Sequence, residues 1–234
     1  MSAIYLIRHG QASFAAKDYD DLSALGQQQA RVLGESLVAR KLQADVVVCG
    51  RMRRHQQTAT GCLTMMGLPV AWDEDAGWDE YDHTDVLGGL DTKLRTQTGI
   101  AQALAGYKDP RQGFQEIFAK AVARWTEGAH DADYSESWPA FSARVEAGLA
   151  RLHARLDRSQ TALVFTSGGA ISVAVRQLMG LPDEQAFRLN WTIANASITK
   201  ILSGTAGLRL STLNEHGYLE GRTSDKGHKL ITYR

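Results

Sequence analysis

Ile4-Tyr5-Leu6-Ile7 runs straight into Arg8-His9-Gly10-Gln11, and Thr161-Ala162-Leu163-Val164-Phe165 runs into Thr166-Ser167-Gly168-Gly169. Each is a short apolar stretch that breaks into polar or glycine-rich residues and then gives way to helical periodicity. A third stretch, Ala44–Val48, breaks into Gly50-Arg51-Met52-Arg53-Arg54-His55. Short apolar runs alternating with longer helical patterns predict an α/β protein with a largely parallel sheet. In such sheets the carboxyl ends of the strands share one edge, where loops and helix N-termini collect ligands.

Working outward, a helix is expected from about Ser23, which reads as its N-cap, with Ala30, Leu33, Leu37 and Val38 on one face. A second spans about Arg54 to Met66 and stops at Gly67 and Pro69. A short strand is expected at Val70–Trp72, and two adjacent ones at Ser197–Leu202 and Leu208–Leu213, joined by a glycine-containing turn. Between about His83 and Ser135 the periodicity of Phe114, Ile117, Phe118, Val122 and Trp125 is helical and no strand pattern occurs. This segment reads as a helical insertion or lid over the strand edge, or equally as an ordinary crossover helix pair. No repeat, low-complexity tract or linker divides residues 1–234, so one domain is expected.

Composition narrows the function. The 234 residues carry 26 Lys+Arg against 26 Asp+Glu, which argues against coating nucleic acid or an anionic membrane surface. No apolar run approaches the ~20 residues of a membrane span, and Arg8 and His9 arrive too early for a signal peptide. Two cysteines are too few for a disulfide framework and no Cys/His spacing suggests zinc. A cytoplasmic protein is expected. Oligomeric state stays open, a homodimer being one option.

Neutrality overall does not exclude a local positive pocket. If the three strand ends share an edge, that edge holds a histidine, several arginines and a helix N-terminus with free N–H groups, a combination suited to a phosphate or similar dianion. Singly, a histidine after a strand is commonly structural and a run of arginines is commonly a solvated turn. Their joint placement is what points to a site. Asp79, Glu80, Asp82 and His83 also admit a metal reading with hard oxygen ligands, which the neighbouring arginines oppose.

These residues resemble the histidine phosphatase superfamily, the phosphoglycerate-mutase-like fold. Arg8-His9-Gly10-Gln11 is similar to its R-H-G-[EQ] signature, Leu22-Ser23-Ala24-Leu25-Gly26 through Gln29-Ala30 to its L-[ST]-x-x-G-x-x-Q-A segment, and Arg54-His55-Gln56-Gln57-Thr58-Ala59 to R-A-x-Q-T-A. Trp78-Asp79-Glu80 resembles the segment carrying the family's acid. Glu136-Ser137 with Phe141, Arg144 and Val145 resembles a later helix, and Asn195-Ala196-Ser197-Ile198 and Asn214-Glu215-His216 resemble the last strand regions.

The resemblance implies a three-layer sandwich, a mostly parallel central sheet flanked by helices, with the helical insertion over the strand C-terminal edge. It implies His9 as the nucleophile that takes up a phosphoryl group and Glu80 as the general acid and base. Phosphate would be bound by Arg8, Arg54, Gln11, Ser167 and Gly168. The partner is a small phosphorylated substrate, and neither metal nor cofactor is called for, because arginines supply the positive charge. One departure stands out: Thr166-Ser167-Gly168-Gly169 puts Ser167 where the family usually has a second histidine. Losing one transition-state donor typically costs on the order of 10²–10³ in rate. A phosphatase acting through phosphohistidine is thus expected, with a phosphoglycerate-mutase-type transferase, or a weakly active or inactive phospholigand-binding protein, as alternatives. His55 and His83 are extra histidines near the expected site. They read first as incidental loop residues, with partial compensation for the missing histidine as the alternative, and Arg51 or Arg53 reads as added positive charge.

Overall fold

Ala162 and Val164 point to one face of a strand and Leu163 and Phe165 to the other, yet all four are fully buried. Side chains alternate across a strand, so both faces of this sheet must be covered. The computed structural model describes residues 1–13 and 20–233. In chain order the elements are β1 (Ser2–Arg8), α1 (Ala24–Ala39), β2 (Val46–Cys49), α2 (Arg53–Met66), β3 (Asp73–Glu74), α3 (His83–Leu90), α4 (Gln97–Leu104), α5 (Pro110–Thr126) and α6 (Trp138–Arg155). They continue with β4 (Thr161–Thr166), α7 (Gly168–Met179), α8 (Asp183–Asn190), β5 (Ile198–Gly204) and β6 (Gly207–Glu215).

The sheet order is β3-β2-β4-β1-β5-β6. The pairs β2–β3, β2–β4 and β1–β4 are parallel, while β5 runs against both β1 and β6. The α/β architecture with a mostly parallel sheet is as expected. Register matters most for function: Arg8 pairs with Thr166 and Cys49 with Phe165, so β1, β2 and β4 end level. Ile198 pairs with Ile7, which brings the start of β5 to the same edge.

On one face, α1 and α2 enclose a core of Ile7, Leu33, Leu37, Cys49, Ala59, Cys62, Leu63, Leu163, Phe165 and Ile198. Ser23 caps α1 by accepting the Gly26 N–H at 3.0 Å, and Gly67 closes α2 in a left-handed conformation with φ 66°. Val38 departs from expectation: it is exposed, because one step past Leu37 turns a side chain about 100° round the helix. The third strand also departs. Val70–Trp72 has the better strand composition, but the pairing falls on Asp73–Glu74 beside the end of β2. Backbone partnership decides the position of so short an edge strand, and propensity does not.

Met1–Glu80 with Arg144–Arg234 form one compact unit and Tyr81–Ala143 a second. The second is helical, as its sequence predicts. Trp125 is fully buried within it, its ring packed on Tyr81, Trp138 and Phe141 at 5.1, 5.2 and 5.7 Å. Asp85 holds the unit's loops by accepting from the Ser135 N–H at 2.6 Å and from Arg95 at 2.9 Å. Among the described residues no helix is long and apolar enough to cross a membrane.

Candidate active site

Two glycines seat the loop that follows β1. A Cβ on Gly10 would lie 2.5 Å from the Gly26 carbonyl oxygen, and one on Gly26 would lie 2.2 Å from that of Gln11. No side chain fits there, so the loop rests directly on the first turn of α1. His9 is then fixed from both neighbouring strands. Its N–H donates to the Thr166 carbonyl at 2.9 Å, and its own carbonyl accepts from the Ala196 N–H and the Asn195 amide, each at 3.2 Å.

The imidazole of His9 is oriented as firmly as its backbone. Nδ1 lies 2.7 Å from the Gly10 carbonyl oxygen, which can only accept, so Nδ1 carries the proton and Nε2 the lone pair. The Arg54 Nε–H donates to that Nε2 at 3.2 Å. Burial first, then the charges of Arg54 and Arg8 and the neighbouring His55, push the proton affinity of His9 well below the usual histidine range. It is a neutral ring with a directed lone pair.

Around it stand the cations. Arg8 and Arg54 are both buried. Arg8 reaches the Ile193 carbonyl, and Arg54 pairs with Asp20 at 2.7 Å. Arg51 and Arg53 add less charge than the sequence suggests, because Asp79 pairs with Arg51 at 2.7 Å and Asp21 with Arg53 at 2.8 Å. The β4 end contributes Ser167 and the N-terminus of α7. Gly168 must be small, since a Cβ there would lie 2.2 Å from the Asn190 amide oxygen.

Glu80 is delivered by a pinned segment. Thr166 Oγ1 donates to the Trp78 carbonyl at 2.6 Å, and Arg144 Nη1 donates to the Ala76 and Asp79 carbonyls at 2.9 and 2.8 Å. The Glu80 carboxylate accepts the Gly169 N–H at 3.0 Å, in the first turn of α7. Gln11 lies at the same edge, but its side-chain carbonyl accepts from Ser23 Oγ at 3.0 Å, which ties it to the α1 cap.

The structure thus brings Arg8, His9, Arg54, Glu80, Ser167 and Gly168 to one edge and corrects the reading of His55. That residue is no loop histidine: it lies in α2, fully buried, on the stripe with Thr58, Ala59, Cys62 and Leu63. The 3–4 spacing of those positions is the signal that marks it. His83 is the exposed first residue of α3, in the second unit. Sequence reasoning also missed Asp20 as the partner of Arg54. The acidic cluster is spent on other work: Asp79 on Arg51, Glu80 on Gly169 and Asp82 on capping α3. No three His, Cys, Asp or Glu among the described residues gather to hold a metal ion.

The profile of the histidine phosphatase superfamily (branch 1) matches residues 4–124 and 107–216. The 2,3-bisphosphoglycerate-dependent phosphoglycerate mutase of Chelativorans sp. (strain BNC1) is 24% identical over 196 residues, covering 80% of this chain and 85% of that protein. A mycobacterial glucosyl-3-phosphoglycerate phosphatase, solved with inorganic phosphate, superposes with a TM-score of 0.63 at 25% identity, covering 93% of this chain and 99% of that one. A phosphoserine phosphatase variant from Entamoeba histolytica, solved with phosphoserine, gives 0.64 at 16% identity over 94% of this chain and 100% of the other.

Proposed function

The chain belongs to the histidine phosphatase superfamily, and we propose that it hydrolyses a small phosphorylated metabolite through a phosphohistidine on His9. One observation carries this reading: His9 is neutral, its Nδ1–H is held by the Gly10 carbonyl, and its Nε2 lone pair faces Arg54. A nucleophile for phosphorus needs that lone pair, and the transferring phosphoryl needs adjacent fixed positive charge.

Nε2 attacks phosphorus as the bond to the leaving oxygen breaks, and Glu80 gives that oxygen its proton. Glu80 then takes a proton from a water that attacks phosphorus. The P–N bond breaks, inorganic phosphate leaves, and His9 is again neutral. Arg8 and Arg54 hold the non-bridging oxygens in forked, charge-assisted bonds, with Ser167 and the Gly168 N–H beside them. The reading calls for no metal or cofactor, because two guanidiniums and a helix N-terminus supply the field. A reducing cytoplasm fits its two buried, free cysteines.

Brief incubation with a ³²P-labelled phosphomonoester, followed by quenching in base, tests it. Base-stable label on the wild type that is absent from His9→Ala is expected; no label, or label that survives the substitution, overturns it. The mutase relative supports a second reading in which the same phosphohistidine returns its group to another hydroxyl. Isomer formation from 3-phosphoglycerate without phosphate release would establish that one.

A further inference from the structure

His55 and Ser167 form a pair that the reaction above does not explain. The ring is fully buried, its Nε2 lies 2.6 Å from Ser167 Oγ, and its centroid is 5.7 Å from that of His9. Ser167 is also fully buried. It stands at the N-cap of α7 yet does not cap it with its side chain. The hydroxyl is turned to His55 instead. Ser167 follows Thr166, the register partner of Arg8, so it is laid alongside His9 at the strand edge.

The direction of the hydrogen bond follows from the other ring nitrogen. Nδ1 of His55 has no hydrogen-bond partner among the described residues. It faces the backbone of Gly50, where an added Cβ would lie 2.4 Å from it. Burial, and then the charge of Arg54, holds the ring's proton affinity well below the usual range, so it is neutral with a single N–H. With the proton on Nδ1, that N–H would be buried without an acceptor, which is costly. With the proton on Nε2, the N–H donates to Ser167 Oγ. The Ser167 hydroxyl then cannot donate to His55, and its own proton points elsewhere. The same tautomer rules out His55 as a base that would make Ser167 the nucleophile, since its Nε2 has no lone pair to offer.

We propose that His55 is a positioning residue that fixes Ser167 Oγ as an acceptor toward the ring, and so turns the Ser167 hydroxyl into an aimed donor for the transferring phosphoryl group. This rests on the phosphatase reading of the site. His55 polarises the hydroxyl through the chain Nε2–H to Oγ–H to phosphoryl oxygen, strengthening the second bond as charge builds. Gly50 makes the arrangement fit, because any side chain there would push the ring off Ser167.

Two measurements test it. Long-range ¹H–¹⁵N NMR of the ¹⁵N-histidine-labelled protein reads the His55 tautomer without turnover, so its result is independent of whether the phosphatase reading holds. The Nε2–H form is expected, and an Nδ1–H form overturns the proposal. Steady-state kinetics with p-nitrophenyl phosphate then compare His55→Phe, which keeps the ring and removes the donor, with His55→Gln, whose amide reaches about where Nε2 lies. His55→Phe should lower kcat by about 10², like Ser167→Ala, with the double variant no worse than either single, and His55→Gln should recover at least tenfold. Additive losses, or His55→Gln as poor as His55→Phe while both melt as the wild type does, would overturn it. A wild type without turnover on any phosphomonoester, beside an intact Nε2–H tautomer, would instead strike the phosphatase reading.

Discussion

Arg54 directs its Nε–H at Nε2 of His9 across 3.2 Å, while its Nη1 is held by Asp20 at 2.7 Å. One guanidinium thus touches the His9 imidazole nitrogen with one edge and a carboxylate with another. A planar guanidinium presents these donors from separate nitrogens in a fixed geometry, whereas a lysine ammonium carries its three donors on one atom.

Arg54→Lys is therefore expected to behave like a loss rather than a conservative change. Both Arg54→Lys and Arg54→Ala should lower kcat/KM for p-nitrophenyl phosphate by about 10²–10³, the range for removing one transition-state donor. An Arg54→Lys variant within threefold of the wild type would show that charge alone matters at this position.

The neutral state of the two buried imidazoles has a pH consequence with a definite sign. Burial first, then nearby arginines, lowers the folded-state proton affinity of both His9 and His55. Above the unfolded histidine pKa of about 6.5 both states are neutral and these rings add no pH dependence. As pH falls below it, the unfolded chain takes up protons that the folded rings refuse, so stability drops by up to about 1.4 kcal/mol per pH unit for each ring. Urea melts at pH 7.5 and pH 5 should show the wild type losing more stability than His55→Gln. The acid limb of kcat/KM should fall below 6.5, because His9 stays neutral there. Parallel stability curves for the two proteins would mean that His55 is charged in the fold.

Much of this was legible from the chain. β1 and β4 announce themselves as apolar runs, and Ser23 and Gly67 mark helix ends through local chemistry that needs no tertiary context. Sequence read least where long-range partnership decides. Edge pairing moved the third strand from Val70–Trp72 to Asp73–Glu74. Asp79 and Asp21 absorb the charge of Arg51 and Arg53 from far along the chain or across a loop. His55 was legible only in part: its nearness to the site follows from the chain, but a polar residue on an apolar helical stripe reads as an interruption until its hydrogen-bond partner, 112 residues later, is known.

The fit of Gly50 against His55 predicts an energetic coupling between them. A Cβ at position 50 would come within 2.4 Å of His55 Nδ1 and 2.8 Å of the Trp78 carbonyl oxygen. Gly50→Ala should cost about 1–3 kcal/mol, as overpacking of a buried site does. In a His55→Ala background the ring is gone and only the carbonyl contact remains. The double variant should then be less destabilised than the sum of the singles, by at least about 0.5 kcal/mol. Chemical denaturation of the four proteins closes the cycle; strict additivity would mean that ring and glycine do not meet.

Glu80 and its mount can be separated by the leaving group. The carboxylate accepts the Gly169 N–H at 3.0 Å, and Arg144 bridges the Ala76 and Asp79 carbonyls behind it. If Glu80 protonates the leaving oxygen, Glu80→Gln should slow hydrolysis of an alkyl phosphate by about 10²–10⁴. It should slow phosphoenzyme formation from p-nitrophenyl phosphate far less, because p-nitrophenolate leaves without a proton. Arg144→Ala keeps the carboxylate and loosens the segment that presents it. That variant should follow the same leaving-group order at smaller amplitude, with a KM close to the wild type's. Equal losses on both substrates in Glu80→Gln would place Glu80 in binding rather than proton transfer, and the proton for the leaving oxygen would have to come from another group at the strand edge.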